Sequence, residues 1–282
     1  MEWNDLLLTV LCLEEDIASA RNAEAAVLEK RRPLEEELAE LEKGKLWKDT
    51  SRPWLTRALS FMFYDKNYEE GLLDYKLRLN SISLDEAKAK TASFEKRQRA
   101  SVHEYLASHA DVDPSYAYAN SLDSTLGQYG RWLANYSAAI RRCSSEVSIA
   151  AEYVTRAASS YSSDPQWCLW MKSIHLGYAK ESLSAYSVTG TLERIADFIP
   201  GETADRLFKD AEIAAGHTYG QATPNEEVFE AVKDYAAFCG HLAEASSALA
   251  GERKQHTDTM ERRAGILLER ILDGAISPSG PE

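Results

Sequence analysis

The densest group of chemically capable side chains lies in SVHEYLASHADVDP, residues 101–114, where His103, Glu104, His109, Asp111 and Asp113 fall within eleven positions. Imidazoles and carboxylates are the ligand types of catalytic zinc and iron centres, so a metal site is the first chemistry to test. The spacing speaks against it. A zincin helix needs His-Glu-x-x-His, because residues four apart project from one face onto one ion. Here Ala107 occupies the second ligand's position, and His109 falls six residues after His103, on roughly the opposite face. Asp111 and Asp113 read instead as the end of one helix and the N-cap of the next, since Pro114 follows directly.

The other motifs that would identify a reaction are missing as well. Di-iron bundles need Glu-x-x-His pairs projecting inward, and none of the six histidines has a glutamate three residues before it. There is no Asp-Asp pair for a terpene-cyclase-like metal site. Phosphate loops, nucleophile elbows and dinucleotide fingerprints need a strand before a glycine cluster, and no strand signal occurs. The expectation is therefore a protein with no metal, no cofactor and no assigned catalytic residue. A helical enzyme with a Cys, His or Ser site built from distant helices stands as a third reading.

Composition narrows the partners. A net charge of -13 repels phosphate backbones, so nucleic acid is not an expected partner. Cys12, Cys143, Cys168 and Cys239 are widely spaced and form no CxxC pair, which reads as four free thiols in a reducing compartment. LLLTVLCL, residues 6–13, imitates a signal peptide with Ala18-Ser19-Ala20 as its cleavage site. Glu2 and Asp5 stand where positive charge belongs, however, and Glu14-Glu15-Asp16 precedes the supposed cut. No apolar run approaches the roughly 18 residues of a membrane span. The expected setting is cytoplasmic.

Periodicity predicts what must position any site. Alternating steps of four and three from Leu122 pass through Leu126, Tyr129, Leu133, Tyr136, Ile140, Cys143, Val147, Ala150, Val154 and Ala157 to Tyr161, all apolar or aromatic. A stripe of that length marks a central helix on the order of 60 Å long. Leu6, Val10, Leu13, Ile17, Ala20, Val27, Leu34, Leu38 and Leu41 repeat the pattern, with Glu24 and Arg31 interrupting it. Pro33 either kinks that helix or restarts it, and Gly44 ends it. A third long helix opens at Thr223-Pro224 with Glu226 completing a capping box. Its seam runs through Val228, Val232, Tyr235, Cys239, Leu242, Leu249, Met260 and Leu267 toward Asp273-Gly274, interrupted by Arg253 and His256.

Between these lie shorter helices. SRPWLTRALSFMF opens one near residue 52, Ser83 with Glu86 caps another, and Asp164-Pro165 starts a third. Pro200-Gly201 and Gly216 read as stops. The predicted fold is all-α: an elongated bundle of long antiparallel helices with coiled-coil-like seams plus a short-helix cap. The expected organisation is a long-helix bundle over 1–163, a cap over 164–222, a long C-terminal helix over 223–274 returning to the bundle, and a disordered tail over 275–282.

Three groups of residues are candidates for binding. Lys88, Lys90, Lys96, Arg97 and Arg99 form the one concentrated basic run, suited to an acidic partner or a membrane surface. Tyr129, Arg131 and Trp132 sit near Gly127 and Gly130, where a neighbouring backbone is expected to come close. Glu24, Arg31, Arg253 and His256 interrupt the terminal seams and would pair across chains in a homo-oligomer. The function expected first is a non-enzymatic helical protein acting through protein–protein interaction or assembly, as scaffold, adaptor, effector or oligomer subunit. Second comes a membrane-acting helical protein, BAR-like or the soluble component of a helical pore-forming toxin. It lacks the strongly basic face or long apolar tongue that this role requires.

Overall fold

The computed structural model describes residues 1–42, 66–159, 164–183, 189–217, 219 and 222–274. Among them the secondary structure is seven helices and no strand: α1 (Trp3–Glu42), α2 (Lys66–Ser108), α3 (Pro114–Ala157), α4 (Pro165–Leu183), α5 (Thr189–Ala196), α6 (Gly201–Gly216) and α7 (Asn225–Leu272). The expected all-α class is the observed one. The Gly44 stop, the helix near residue 52, Tyr161 and the 275–282 tail lie outside the described residues. The chain divides into two compact units, Met1–Asp113 with Arg262–Glu282, and Pro114–Glu261.

In the first unit α1 and α2 pack antiparallel. Trp3 meets Tyr105 with ring centroids 5.4 Å apart, the Gln98 amide donates to the Val10 carbonyl at 3.2 Å, Arg21 pairs with Glu95 at 2.7 Å, and Arg31 donates to Ser81 at 3.0 Å. As the α1 number rises the α2 number falls by a similar amount, which is the signature of an antiparallel pair. Leu6, Val10, Leu13, Ile17 and Ala20 are buried, as their spacing requires. Val27, Leu34 and Leu38 are only half-buried, and Glu24 and Arg31 stand where the seam loosens.

One expected boundary is corrected here. Helix α2 runs unbroken through Ser83, whose hydroxyl donates back to the Leu79 carbonyl at 3.2 Å instead of capping a new helix. No proline and no glycine after Gly71 interrupts that stretch, so a serine with a glutamate three residues on had nothing to start. Helix α1 is one element through Pro33, so of the two readings there the restart is excluded. Proline removes one hydrogen bond there, and its exposed position leaves the orphaned carbonyl to water.

The second unit is built on α3. Leu126, Leu133, Tyr136, Ile140, Cys143, Val147, Ala150 and Val154 are buried, eight of the twelve stripe positions read from the sequence. They meet Val228, Tyr235, Phe238, Leu242 and Leu249 of α7, which runs antiparallel to α3. Leu176 of α4, Leu192 of α5 and Leu207 of α6 close the same core.

Local ends follow from single residues. Asp164 caps α4 by accepting the Trp167 N–H at 2.9 Å. Pro200-Gly201, expected as a stop, is the start of α6: the Pro200 carbonyl accepts the Thr203 and Ala204 N–H groups at 2.9 and 3.0 Å. Helix α7 begins one residue later than expected, since the Val228 N–H bonds to the Pro224 carbonyl. It ends as predicted, with Gly274 at φ +64°, the left-handed conformation that glycine adopts without strain.

Candidate interaction surface

The residues singled out from the sequence are dispersed. His109 stacks on Tyr105 at 4.3 Å, its Nδ1 lies 3.0 Å from the Tyr105 carbonyl and 3.0 Å from the Ser108 hydroxyl, and Asp113 faces Arg263 at 3.9 Å. Among the described residues no three His, Cys, Asp or Glu side chains form a metal-binding group. Lys88, Lys90, Lys96, Arg97 and Arg99 are all exposed on α2. At ~100° per residue, Lys88, Lys96 and Arg99 share one face while Lys90 and Arg97 lie on the other side, so the run does not gather into one patch.

The aromatic residues beside Gly127 serve the core. Tyr129 packs on Phe198 with centroids 6.0 Å apart, and Trp132 stacks on Tyr136 at 5.0 Å, while Arg131 projects outward. The expected backbone approach at the two glycines is not observed. A Cβ on Gly130 would meet nothing within 4 Å; one on Gly127 would lie 3.4 Å from the Arg253 guanidinium carbon. Gly127 makes room for an arginine, because Asp123, one turn earlier on the same face, accepts from Arg253 at 2.9 and 3.2 Å and from Thr257 at 3.1 Å. This ion pair holds the Asp123 carboxyl below the usual carboxylate range. Arg253 and Arg31 are thus engaged within the chain, the latter with Glu35 at 2.6 Å as well as Ser81, and His256 lies edge-on to Tyr118 at 6.4 Å.

The tyrosine, cysteine and histidine groups gathered in the second unit are tied up with one another or with carboxylates. The Tyr219 hydroxyl donates to the Tyr235 hydroxyl at 2.6 Å, and both lie beside the Cys143 thiol. Burial pushes that thiol up to about 11, so it stays protonated and is no nucleophile at neutral pH. Burial also pushes the Tyr136, Tyr219 and Tyr235 hydroxyls far above the usual phenol range. His217 and His241 are each held by a carboxylate, Asp234 at 3.0 Å and Asp210 at 2.6 Å. The cavity beside them is about 10 Å3, which is room for at most a single water. The buried Lys172 donates to the Thr223 carbonyl and, at 3.0 Å, to Asn225, tying α4 to the start of α7.

The chemistry left over is on the outside of this unit. Helix α4 turns Cys168, Lys172, Leu176 and Ala179 inward. Trp167, Trp170, Ile174 and Tyr178 recur at steps of three and four on a different face, where Trp170 is 54% and Tyr178 51% exposed. Trp167 lies edge-on to Tyr153 of α3 at 5.6 Å, and the Arg156 guanidinium sits over the same ring at 5.5 Å. Arg156 is also one wall of a groove of about 490 Å3 between α3 and α7, lined with Ala151 and Glu152 on one side and Phe229, Val232 and Lys233 on the other. His175, bonded to Glu146 at 2.7 Å and stacked on Tyr153 at 5.6 Å, fixes α4 against α3 beneath this strip.

The surface therefore runs from Trp167 through Tyr153 and Arg156 to Phe229. It escaped the sequence reading, although PQWCLWMKSIHLGY carried a usable signal: a short helix with large apolar residues on two faces has one face more than a single core can cover. No protein-family model, no curated protein sequence and no solved structure matches this chain, so its assignment rests on the surface just described.

Proposed function

We propose that this is a non-enzymatic helical protein that acts by binding another protein, as scaffold, adaptor, effector or assembly subunit, through the strip formed by α4, α3 and α7. The observation that carries this reading is the exposure of Trp167, Trp170, Tyr178 and Phe229 on one unit. Tryptophan, tyrosine and phenylalanine with an arginine among them are the residue types that dominate interface energetics. The part of each of these side chains that faces outward is apolar area of the kind that marks a protein-interaction site. The engaged state of Cys143, His217 and His241 supports a binding role over a catalytic one. Free thiols at Cys12, Cys143, Cys168 and Cys239 favour a reducing compartment, and the cytoplasm is the setting we assign.

Among the described residues no helix is long and apolar enough to cross a membrane. Peripheral membrane action and self-association are separate outcomes of one experiment. Wild-type protein, Trp170→Asp and Phe229→Asp are compared for retention of a partner, for co-sedimentation with liposomes and for mass by light scattering. The reading expects a partner that wild type retains and both variants lose. Liposome binding in place of partner binding, or a partner retained equally by all three, would overturn it.

A further inference from the structure

We propose that the groove between α3 and α7 receives an acidic amphipathic helix, its apolar side chains on Ala151, Phe229 and Val232 and its carboxylates between Arg156 and Lys233. This rests on the reading of the strip as an interaction surface and adds the chemistry of the partner. Two antiparallel helices packed side by side leave a valley parallel to both axes, the shape that a third helix fills. The valley's volume of about 490 Å3 is set by small residues on α3 facing Phe229, a residue that is 41% exposed and makes no ring contact among the described residues. Helix-in-groove recognition uses an apolar anchor row of this kind with charges along its margins.

The sign of those margins selects the partner. The chain as a whole carries -13 and repels acidic proteins wherever its surface is average. At the groove the balance reverses: Arg156 on α3 and Lys233 on α7 stand on opposite walls, with Glu152 the one acid lining it among the described residues. Glu152 is spent on Arg156, at a loose 3.9 Å, and Lys233 makes no ion pair among the described residues. A helix with carboxylates on both margins of its apolar face gains an exposed lysine and a loosely held arginine. A basic helix meets two like charges.

The test uses the purified full chain and two synthetic peptides of roughly 18 residues, long enough for an amphipathic helix, with the same leucine and phenylalanine face. One carries glutamate on both margins, the other lysine. Fluorescence anisotropy should show the glutamate peptide binding about tenfold more tightly, Lys233→Glu reversing the preference, and Phe229→Asp weakening both peptides about tenfold. Circular dichroism checks the fold of each variant, and Lys233→Glu, at an exposed position, preserves the test should Phe229→Asp misfold. Equal affinity for both peptides would overturn the acidic assignment while leaving the surface itself standing. Binding that ignores Phe229→Asp, or no binding of either peptide, would overturn the groove as the site. Binding of phosphatidylserine vesicles without peptide binding would reassign it to lipid.

Discussion

Replacing Tyr235 with phenylalanine removes one oxygen from the centre of the second unit, at a residue 1% exposed. That oxygen accepts from Tyr219 at 2.6 Å and neighbours the Cys143 thiol, so its loss leaves the Tyr219 hydroxyl with only the weakly bonding thiol as a partner. A stranded buried hydroxyl costs about 1–3 kcal/mol, whereas a hydrogen bond whose two partners are both replaced by apolar groups contributes only about 1 kcal/mol net. Tyr235→Phe should therefore cost about 2 kcal/mol. Tyr219→Phe leaves Tyr235 in the same position, with the thiol alone, and should also cost about 2 kcal/mol. The double variant should cost no more than about 2 kcal/mol, giving a coupling of about 2 kcal/mol. Urea unfolding followed by tryptophan emission is the assay, since Trp132, Trp167 and Trp170 all lie in that unit. Additive costs, or a neutral Tyr235→Phe, would show that the three polar groups do not form one network.

Ile140, fully buried at the middle of the α3 seam, should lose about 4 kcal/mol or more on replacement by aspartate, and an unchanged urea midpoint would remove that face from the core. A thiol reagent at neutral pH should modify the exposed Cys12 at once but reach Cys143 and Cys168 only on unfolding, which mass spectrometry of the labelled peptides resolves. Asp123 has its carboxyl lowered by Arg253, so its contribution is present above the unfolded carboxylate value of about 3.9 and is lost as pH falls through the lower folded value. Asp123→Asn should therefore flatten the acid limb of stability against pH. The effect should stay below about 1 kcal/mol because Arg253 is half-exposed, and an unchanged acid limb would refute the pairing.

The all-α class and the α3 seam were legible in the sequence because apolar spacing and helical period are the same quantity: a residue every three to four positions is forced onto one face whatever it packs against. Asp164 and Gly274 were legible for a similar reason, since a cap satisfies its own neighbours' backbone. Elsewhere, equal-looking signals had different fates. Ser83 with Glu86 matched a capping pattern but lies inside an unbroken helix, because nothing before it ends α2. Pro200-Gly201 looked like a stop and begins α6, because proline's fixed φ suits a helix entrance as well as an exit. Gly127 announced a close neighbour, but only the pairing of α3 with α7 decides that it is the Arg253 guanidinium, 130 residues from Asp123. The groove belongs wholly to tertiary structure. Ala151, Arg156, Phe229 and Lys233 are unremarkable along the chain and form a site only where two helices meet, since a concave surface is a property of the space between elements, and local periodicity carries no information about that space.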